Sequence, residues 1–511
     1  MSKKITIYAP VLSIATCIFW LSFCNTTFWS YAAKTASIPL LISMAIVLAS
    51  VIYACLTIIS FRYVYKPLLM AALLIAAVSS YAMDHFGFII SSQTFQAIIE
   101  SDRAEMLDLF NWRFITSLVL LFLLPAVIIV CAKVTHASFK TKLLHLLFCI
   151  LLVIGNAVLL NKHYVFFIRN AREIRYYINP VRPIYSLTKY ISQSLSFSEE
   201  PSFVELDPNP IKVTSNAKPK LVILVVGEAD RSMNHSLNGY HKNTNPLLAQ
   251  RGDVYSFNKF YSCGTETLVS LPCMFSAFTR EEYNQHKARY TENILDLLQK
   301  AQVRVLWRDN DGGCKHVCDR VSNDDFTSHG QQDDVLLKDL QQHININNGD
   351  QLIVLHKLGN HGPAYYKHYP NKFKQFTPTC DTTELTTCTM QQIANTYDNI
   401  ILYTDDFLDR IIKQLESNTA YQTALIYVSD HGESLGENGI YLHAMPYWLA
   451  PKEQIHVPFF FWASQDFALN REHLTAIKDQ EFSHDHLFHS LMGLFGVRSR
   501  VYKQELDIFF G

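Results

Sequence analysis

The sequence predicts a protein of two parts: an α-helical transmembrane domain of five spans and an α/β domain whose mostly parallel sheet is covered by helices. Three observations support this fold class. Five apolar runs crowd the first third of the 511 residues. Strand-like apolar runs then alternate with helical stretches, and several of these runs end in carboxylate or imidazole side chains. Such alternation is typical of parallel sheets, whose functional groups gather at the carboxyl ends of the strands.

Each of the five apolar runs has a length close to the ~20 residues that a bilayer-spanning helix needs. Buried core helices are the alternative, but five such runs nearly end to end would leave a soluble domain without a surface. The first run shows no small-residue cleavage site before the second, so we expect it to remain as a span. The runs are Pro10–Phe28, Ile38–Ile59, Pro67–Met83, Phe114–Ala132 and Leu143–Leu160.

The positive charges of the short loops predict the orientation of the spans. A cytoplasmic N-terminus places seven Lys and Arg residues inside and three outside. An odd number of spans then exports the C-terminal domain. The inner residues are Lys3, Lys4, Arg62, Lys66, Lys133, Lys140 and Lys142, and the outer residues are Lys34, Arg103 and Arg113.

Two segments connect these parts. Apolar residues among charges from Ser91 to Trp112 predict an amphipathic helix at the outer membrane face, with a plain connecting helix as the alternative. The proline-spaced segment 162–218 predicts a bridging linker of extended or short helical pieces. We therefore expect a transmembrane domain at 1–161, the linker at 162–218 and a catalytic domain at 219–511.

The C-terminal domain contains five predicted strands and one long predicted helix, from Met390 to about Leu415. The strands are Leu221–Gly227, Val303–Trp307, Leu352–Leu355, Ala424–Ser429 and Val457–Trp462.

The overall charge of the chain excludes one class of function. The formal net charge is -1 and the pI is near 7.0, whereas a nucleic-acid-binding protein is expected to carry an excess of positive charge. We therefore exclude nucleic-acid binding.

Six cysteines of the C-terminal domain form close pairs in the sequence: Cys263/Cys273, Cys314/Cys318 and Cys380/Cys388. An even number of cysteines at short spacing in an exported domain predicts three local disulfides in an oxidising compartment. A small metal knuckle at Cys314, His316 and Cys318 is the alternative for the second pair. No second ligand pair stands at zinc-finger spacing.

Glu228, Asp430 and His431 directly follow predicted strands, and oxygen and nitrogen ligands of this kind suit Zn²⁺. Three ligands leave a fourth position open, which Thr267 can fill. A hydroxyl bound to Zn²⁺ becomes a stronger acid and a better nucleophile. Thr267 also begins a predicted helix through Phe275, so an N-cap threonine is the alternative; the neighbouring ligands favour the nucleophile.

Four further side chains are candidates for the same pocket. His361 follows the strand Leu352–Leu355, and His443 follows Asp430 by a glycine-rich loop. Taken singly, each histidine is more often a hydrogen-bonded structural residue than a ligand. Lys315 offers a positive charge for a phosphate, with a solvated lysine as the alternative. Glu433 could bind an ammonium group or support a metal ligand.

Several motifs together resemble the membrane-anchored phosphoethanolamine transferases that modify lipid A, including the mobilised colistin-resistance enzymes, within the alkaline phosphatase and sulfatase-like superfamily. The resemblance covers nearly the whole chain. The motifs are VVGE ending at Glu228, SLNGY from Ser236, CGTET from Cys263, PCMFS from Pro272, HGPAYY from His361, FTPTC ending at Cys380, NTYDN from Asn395 and SDHGESLGENGIYLH from Ser429.

The resemblance implies one tightly bound Zn²⁺ on Glu228, Thr267, Asp430 and His431, with Thr267 as the residue that becomes phosphoethanolaminylated. His361 and His443 match positions for a second metal or for substrate, and Lys315 and Glu433 match substrate contacts. Disulfides Cys263–Cys273 and Cys380–Cys388 are also implied.

The resemblance further implies transfer from phosphatidylethanolamine to a lipid A phosphate, which reduces surface negative charge and gives polymyxin resistance. The location implied is the bacterial inner membrane with a periplasmic catalytic domain, and we expect a monomer.

The sequence departs from the family's usual pattern at three places. Residues Asp311 and Gly312 replace the usual Asn-Ser, residues 229–233 differ from a Thr-Ala-Arg-Ala pattern, and Ala444 replaces a common glycine. Asp311 adds negative charge near the substrate pocket, which leaves substrate affinity and donor choice open.

Four alternatives to this function can be compared with the motifs. Transfer of phosphoglycerol, or transfer to another envelope glycan or core sugar, is compatible with the motifs. A sulfatase fits poorly, because the segment Ser270–Met274 lacks the arginine of the C/S-x-P-x-R motif. A non-catalytic membrane scaffold would be expected to lose one of the four zinc ligands, and all four are present.

Overall fold

The computed structural model describes residues 6–100, 111–170, 172–196, 202–213, 217–328, 332–345 and 349–510. The chain divides into two compact units, Met1–Ser198 and Glu199–Gly511. The first unit is largely helical, and the second is built around a β-sheet.

Within the described part of the first unit, four helices are long and apolar enough to cross a membrane, or five if one bent pair counts as a span. This agrees with the five predicted spans only when the bent pair is included. Residues Val119–Leu123 form a π-helical turn inside the third long helix. The four long helices are Ile38–Ile58, Tyr65–Phe86, Trp112–Cys131 and Phe139–Leu159, and the bent pair is Ala9–Phe23 with Thr26–Thr35.

The first predicted span is broken near Asn25, where the two helices of the bent pair meet at 65°. The buried Asn25 amide donates to the carbonyl of Trp20 at 2.9 Å and to that of Asn179 at 2.7 Å. Its own oxygen accepts the backbone N–H of Asn179 at 2.9 Å. A polar side chain that binds backbone groups in this way competes with the backbone hydrogen bonds of a helix, which explains why the helix is interrupted near Asn25.

The connecting segments contain more helix than the sequence indicated. Ser92–Glu100 is helical, as the amphipathic prediction expects, while residues 101–110 of that prediction lie outside the described residues. Helices Asn161–Asn170 and Val181–Ser196 occupy part of the predicted linker. Short strands Thr6–Tyr8 and Lys133–Thr135 pair in parallel.

A sheet of eight strands organises the described part of the second unit. In chain order we label the strands β1 (Lys220–Gly227), β2 (Tyr255–Tyr261), β3 (Arg304–Asp309), β4 (Ser322–Asp325), β5 (Gln351–His356), β6 (Gln422–Ser429), β7 (His456–Ala463) and β8 (Phe482–Ser483). Their spatial order is β8, β2, β7, β6, β1, β5, β3, β4. Only β7 runs antiparallel to both of its neighbours in the sheet. The predicted mostly parallel sheet is confirmed.

The central strand β1 is buried on both faces. Val222, Leu224 and Val226 belong to one hydrophobic cluster, whereas the alternating Leu221, Ile223 and Val225 belong to another. Because successive side chains of a strand point to opposite faces, each face of β1 packs into its own core. A continuous apolar run such as β1 is the expected pattern for a strand of this kind.

Helical residues belong to the hydrophobic clusters on both faces of the sheet, and Met390–Ser417 is the longest helix in the described part of this unit. Its N-terminus has a capping box between Thr389 and Gln392. The other α-helices are Pro246–Arg251, Thr267–Met274, Gln285–Arg289, Ile294–Lys300, Leu340–Asn345, Lys452–Ile455, Arg471–Ile477 and Leu487–Phe495. Two antiparallel strand pairs lie outside the sheet: Ile211–Lys212 with Val497–Arg498, and Ser434–Leu435 with Tyr441–Leu442.

Candidate active site

The proposed metal ligands lie at the carboxyl ends of two adjacent parallel strands. Gly227 of β1 is paired in register with Ser429 of β6. The next residues, Glu228 and Asp430, therefore leave the sheet side by side. Together with His431 they offer ligand atoms that all lie within 4.8 Å of one another, and all three side chains are buried. Parallel pairing thus brings together Glu228 and Asp430, which are 202 positions apart in the sequence.

Thr267 is the first residue of its helix, and its hydroxyl faces this group of ligands. The hydroxyl Oγ1 donates to Glu228 Oε2 at 2.8 Å and lies 3.3 Å from His431 Nε2. Glu266 occupies the N-cap position, so Thr267 is not the helix cap. The hydroxyl is instead oriented by the carboxylate.

The donor set fits a metal ion. Two buried oxygens, Oε1 of Glu228 and Oδ2 of Asp430, accept no hydrogen bond from any described residue. His431 Nε2 lies 3.3 Å from the first and 3.4 Å from the second. The other ring nitrogen, Nδ1, is held at 2.9 Å by the Gly432 carbonyl, to which it donates. A backbone carbonyl that fixes one imidazole nitrogen and directs the other inward is characteristic of histidine ligands.

The electrostatics of the group also favour a cation. Burial and the neighbouring Glu228 raise the pKa of Asp430. Burial alone would lower the pKa of His431, but Asp430 and Glu228 raise it to about 10. Burial likewise opposes ionisation of Glu228, yet the charge of His431 holds the pKa of Glu228 well below its usual range. Two carboxylates therefore attract positive charge to Nε2, in the form of a proton or a metal ion.

Glycine after His431 is required by close packing. A Cβ on Gly432 would overlap the backbone carbonyl of Glu453. Only glycine, which has no side chain, allows the backbone after His431 to pack this closely against Glu453.

His361 and His443 reach the same pocket. Each offers a nitrogen within 4.8 Å of the other and of a Glu228 oxygen. The His443 ring lies 4.4 Å from the His431 ring between centroids, and its Nδ1 lies 3.2 Å from Glu433 Oε2. Glu433 is fully buried, and its Oε1 has no hydrogen-bond partner within the described part of the chain. Imidazoles and carboxylates therefore line one side of the pocket.

The chain matches two family models. Residues 48–195 match the model described as phosphoethanolamine transferase EptA/EptB, and residues 220–497 match the sulfatase model. Phosphoethanolamine transferase EptA of Escherichia coli (strain K12) is 38% identical over 522 residues, covering 96% of this chain and 94% of the relative. The chain belongs to the membrane phosphoethanolamine transferase family.

Two further comparisons agree with this assignment. Phosphatidylethanolamine transferase Mcr-1 of Escherichia coli is 36% identical over 524 residues, covering 97% of this family member and 96% of the relative. The solved structure of the integral membrane lipooligosaccharide phosphoethanolamine transferase A from Neisseria meningitidis covers 99% of each chain, with a TM-score of 0.94 and 34% identity. Both membrane and catalytic parts are therefore shared with these relatives.

The six predicted disulfide cysteines of this family member are paired as Cys263–Cys273, Cys314–Cys318 and Cys380–Cys388. The disulfide prediction is confirmed, and the metal knuckle considered for Cys314 and Cys318 is wrong. The first disulfide closes the loop that carries Thr267.

Lys315 is half-buried, and its ammonium group donates to the Gly312 carbonyl at 2.9 Å. Asp311 is buried in a group with Glu228 and His356, whose ligand atoms lie within 4.8 Å of one another. The sequence reasoning identified Asp311 but missed His356. The signal was available, because His356 directly follows the predicted strand Leu352–Leu355 and so obeys the strand-end rule that identified Glu228.

Proposed function

We propose that this protein transfers phosphoethanolamine from phosphatidylethanolamine to a lipid A phosphate, through a covalent phosphoethanolamine intermediate on Thr267. The observation that carries the proposal is the position of the Thr267 hydroxyl, 2.8 Å from Glu228 Oε2 and 3.3 Å from His431 Nε2. A threonine hydroxyl is a weak nucleophile unless it is activated by neighbouring groups of this kind.

The names of two relatives support the lipids involved. Mcr-1 is named as a phosphatidylethanolamine transferase, which supports phosphatidylethanolamine as the donor here. The Neisseria meningitidis protein is named as a lipooligosaccharide phosphoethanolamine transferase, which supports a lipid A-type acceptor. Both lipids are held in membranes, in agreement with the apolar helices of the first unit.

In the first step, Thr267 Oγ1 attacks the phosphorus of the donor. A bond from Oγ1 to phosphorus forms, the bond from phosphorus to the diacylglycerol oxygen breaks, and the threonine proton ends on the diacylglycerol. Glu228 orients the hydroxyl by accepting its hydrogen bond. The N-terminal end of the helix Thr267–Met274 lies beside the reacting atom, and its amides favour negative charge there.

In the second step, an oxygen of the acceptor phosphate attacks the phosphorus held on Thr267, and the bond from phosphorus to Oγ1 breaks. The proton that the acceptor phosphate loses as its oxygen bonds to phosphorus ends on Thr267 Oγ1, and the restored hydroxyl again donates a hydrogen bond to Glu228. Glu228, Thr267, Asp430 and His431 would hold Zn²⁺, which when bound lowers the pKa of the threonine hydroxyl and neutralises charge on the phosphoryl group.

His361, His443, Lys315 and Glu433 are proposed as substrate contacts. The buried carboxylate of Glu433 suits the ammonium group of ethanolamine, and the two histidines can donate hydrogen bonds to phosphate oxygens. The product carries an added ammonium group that offsets phosphate charge. Cationic peptides such as polymyxin should then bind the surface less strongly.

The deciding experiment is peptide mass spectrometry of the full-length, zinc-loaded protein after incubation with phosphatidylethanolamine. We expect a phosphoethanolamine adduct on the Thr267 peptide, none in Thr267→Ala, and an adduct on the serine in Thr267→Ser. Phosphatidylglycerol in a parallel tube tests the alternative donor.

Diacylglycerol release is measured in the same tubes. Release without an adduct would indicate an intermediate that is too short-lived to trap. If neither adduct nor diacylglycerol forms in a folded preparation, phosphatidylethanolamine is not the donor. Phosphoglycerol on Thr267 would replace the proposed donor with phosphatidylglycerol.

A further inference from the structure

The proposed catalytic group shares Glu228 with a second set of buried ligand-type side chains, formed by Glu228, Asp311 and His356. We call it the Asp311 cluster. One ligand atom from each residue lies within 4.8 Å of the others. Glu228 and His356 are fully buried, and Asp311 is 8% exposed. Carboxylates are seldom buried this deeply unless a cation or a hydrogen-bond network compensates them.

His356 is held in one orientation by Asp309. Its Nδ1 lies 2.9 Å from Asp309 Oδ2, and this carboxylate also accepts the Trp307 indole N–H at 2.8 Å. The other oxygen of Asp309 accepts backbone N–H groups of Asp311 at 2.9 Å and Gly313 at 3.0 Å. The carboxylate thus fixes Nδ1 as the protonated nitrogen and directs Nε2 toward Asp311.

The buried Nε2 of His356 makes no hydrogen bond to any of the described residues. It lies 3.6 Å from Asp311 Oδ2, beyond hydrogen-bond distance. One buried oxygen of Glu228 is likewise without a hydrogen bond among those residues. Two carboxylates and one oriented imidazole therefore converge, and His356 Nε2 and one Glu228 oxygen have no hydrogen-bond partner among the described residues.

We propose that Glu228, Asp311 and His356 bind a divalent cation that is distinct from the ion expected beside Thr267. Two carboxylates and an imidazole suit Zn²⁺ or Mn²⁺. The arrangement in which Asp309 supports His356 is the carboxylate–histidine pairing found behind metal ligands. Glu228 belongs to both groups of ligands, so its carboxylate is shared between the two proposed sites.

The test is metal stoichiometry of the full-length protein in detergent, stripped of metal, reloaded with Zn²⁺ and measured by inductively coupled plasma mass spectrometry. We expect Asp311→Asn to hold one ion fewer per chain than the wild type. The matched control is Asp319→Asn, which alters an exposed aspartate of the same segment that pairs with His316 at 2.9 Å. It should hold the wild-type number of ions.

His431→Ala separates the two sites, because it should lose the ion beside Thr267 and keep the one at Asp311. The double variant with Asp311→Asn should lose both. Equal zinc content and affinity in the wild type and Asp311→Asn would overturn the proposal and leave an ion pair between His356 and Asp311 in its place.

Anomalous diffraction from wild-type crystals soaked in Mn²⁺ removes the dependence on a folded variant. We expect a peak within bonding distance of Asp311 and His356, and a peak beside Thr267 alone would overturn the inference. The readouts do not depend on transfer activity, so failure of the proposed reaction and failure of this site are distinguishable.

Discussion

At the scale of single residues, the site depends on buried charge that the sequence spreads over distant segments. Glu228 orients Thr267, approaches His431 and faces Asp311. Because Glu228 is buried among polar groups, we expect its negative charge to matter more for the site than the space that its side chain fills. Glu228 is therefore the residue at which shape and charge can be separated.

Glu228→Gln retains the shape and a hydrogen-bond acceptor for Thr267 but removes the charge. We expect transfer activity to fall by roughly 10²- to 10³-fold and zinc affinity to fall at least about tenfold. Transfer kinetics and zinc titration of the full-length protein measure both. Glu416→Gln, at a 45% exposed side chain, is the matched control and should behave as wild type. Wild-type turnover in Glu228→Gln would show that the charge is dispensable.

His484 supports the site as a neutral imidazole. The backbone N–H of Cys263 donates to its Nδ1 at 3.0 Å, and its Nε2 donates to the Ser429 carbonyl at 2.9 Å. Burial lowers the pKa of His484 to about 3. Between about pH 6.5 and 3 the unfolded chain therefore binds a proton at this residue that the folded chain does not. This residue's contribution to stability is complete above pH 6.5 and declines as the pH falls through that range.

His484→Asn keeps an acceptor at the Nδ1 position without a titrating group. We expect the wild type to lose stability more steeply than the variant below pH 6.5, by on the order of 1 kcal/mol per pH unit. Thermal melts of both zinc-loaded proteins at pH 7.5, 6.5, 5.5 and 5.0 provide the comparison. Parallel curves over this range would rule out a neutral His484 as a source of acid sensitivity.

At the scale of elements, the sequence predicted those parts of the fold that have a local signal. The buried strands β1, β5 and β6 form continuous apolar runs, and the observed boundaries differ by at most two residues at either end from the prediction. Strand β4 is polar and largely exposed, and β8 has two residues. These edge strands form because a neighbouring strand pairs with them, and their own sequences lack the continuous apolar runs that identified β1, β5 and β6.

The same distinction applies to the site. Glu228, Asp430 and His431 follow strong strand signals, so the strand-end rule identified them. Asp309 could not be recognised in this way, because its role depends on the pairing of Asp309 with His356 across β3 and β5. Contacts between strands that are 47 residues apart are set by sheet order, which single-sequence patterns do not specify.

The disulfide Cys263–Cys273 encloses the segment that presents Thr267, whereas Cys380–Cys388 encloses a loop of similar length elsewhere. Replacing either pair by serine should reduce stability by a similar amount, about 2–3 kcal/mol. Only the first replacement should also lower kcat, by about tenfold or more, because the nucleophile loses its fixed position. Melting temperature and kcat of the two double variants test this. Equal kcat losses would mean that the disulfides act through general stability alone.

At the scale of the whole molecule, the loop charges, the disulfides and the proposed lipid substrates all indicate a membrane-anchored protein whose C-terminal unit is exported. Positive charges in the inner loops predict export of the C-terminal unit, and the three disulfides found there suit an oxidising compartment. Long apolar helices retain the chain in the membrane in which the proposed donor and acceptor both reside. Anchoring would then replace a search in three dimensions by one within a surface.

This arrangement predicts surface-dilution kinetics for the full-length protein in mixed micelles. At constant bulk amounts of phosphatidylethanolamine and lipid A, added inert detergent should lower the transfer rate in proportion to the mole fraction of the two lipids. A water-soluble phosphoethanolamine diester measured in the same micelles should be cleaved at a constant rate, because its concentration at the site does not depend on the micelle surface. Transfer that follows bulk lipid concentration alone would show that the anchored chain draws its substrates from solution, and the role assigned to the membrane helices would be wrong.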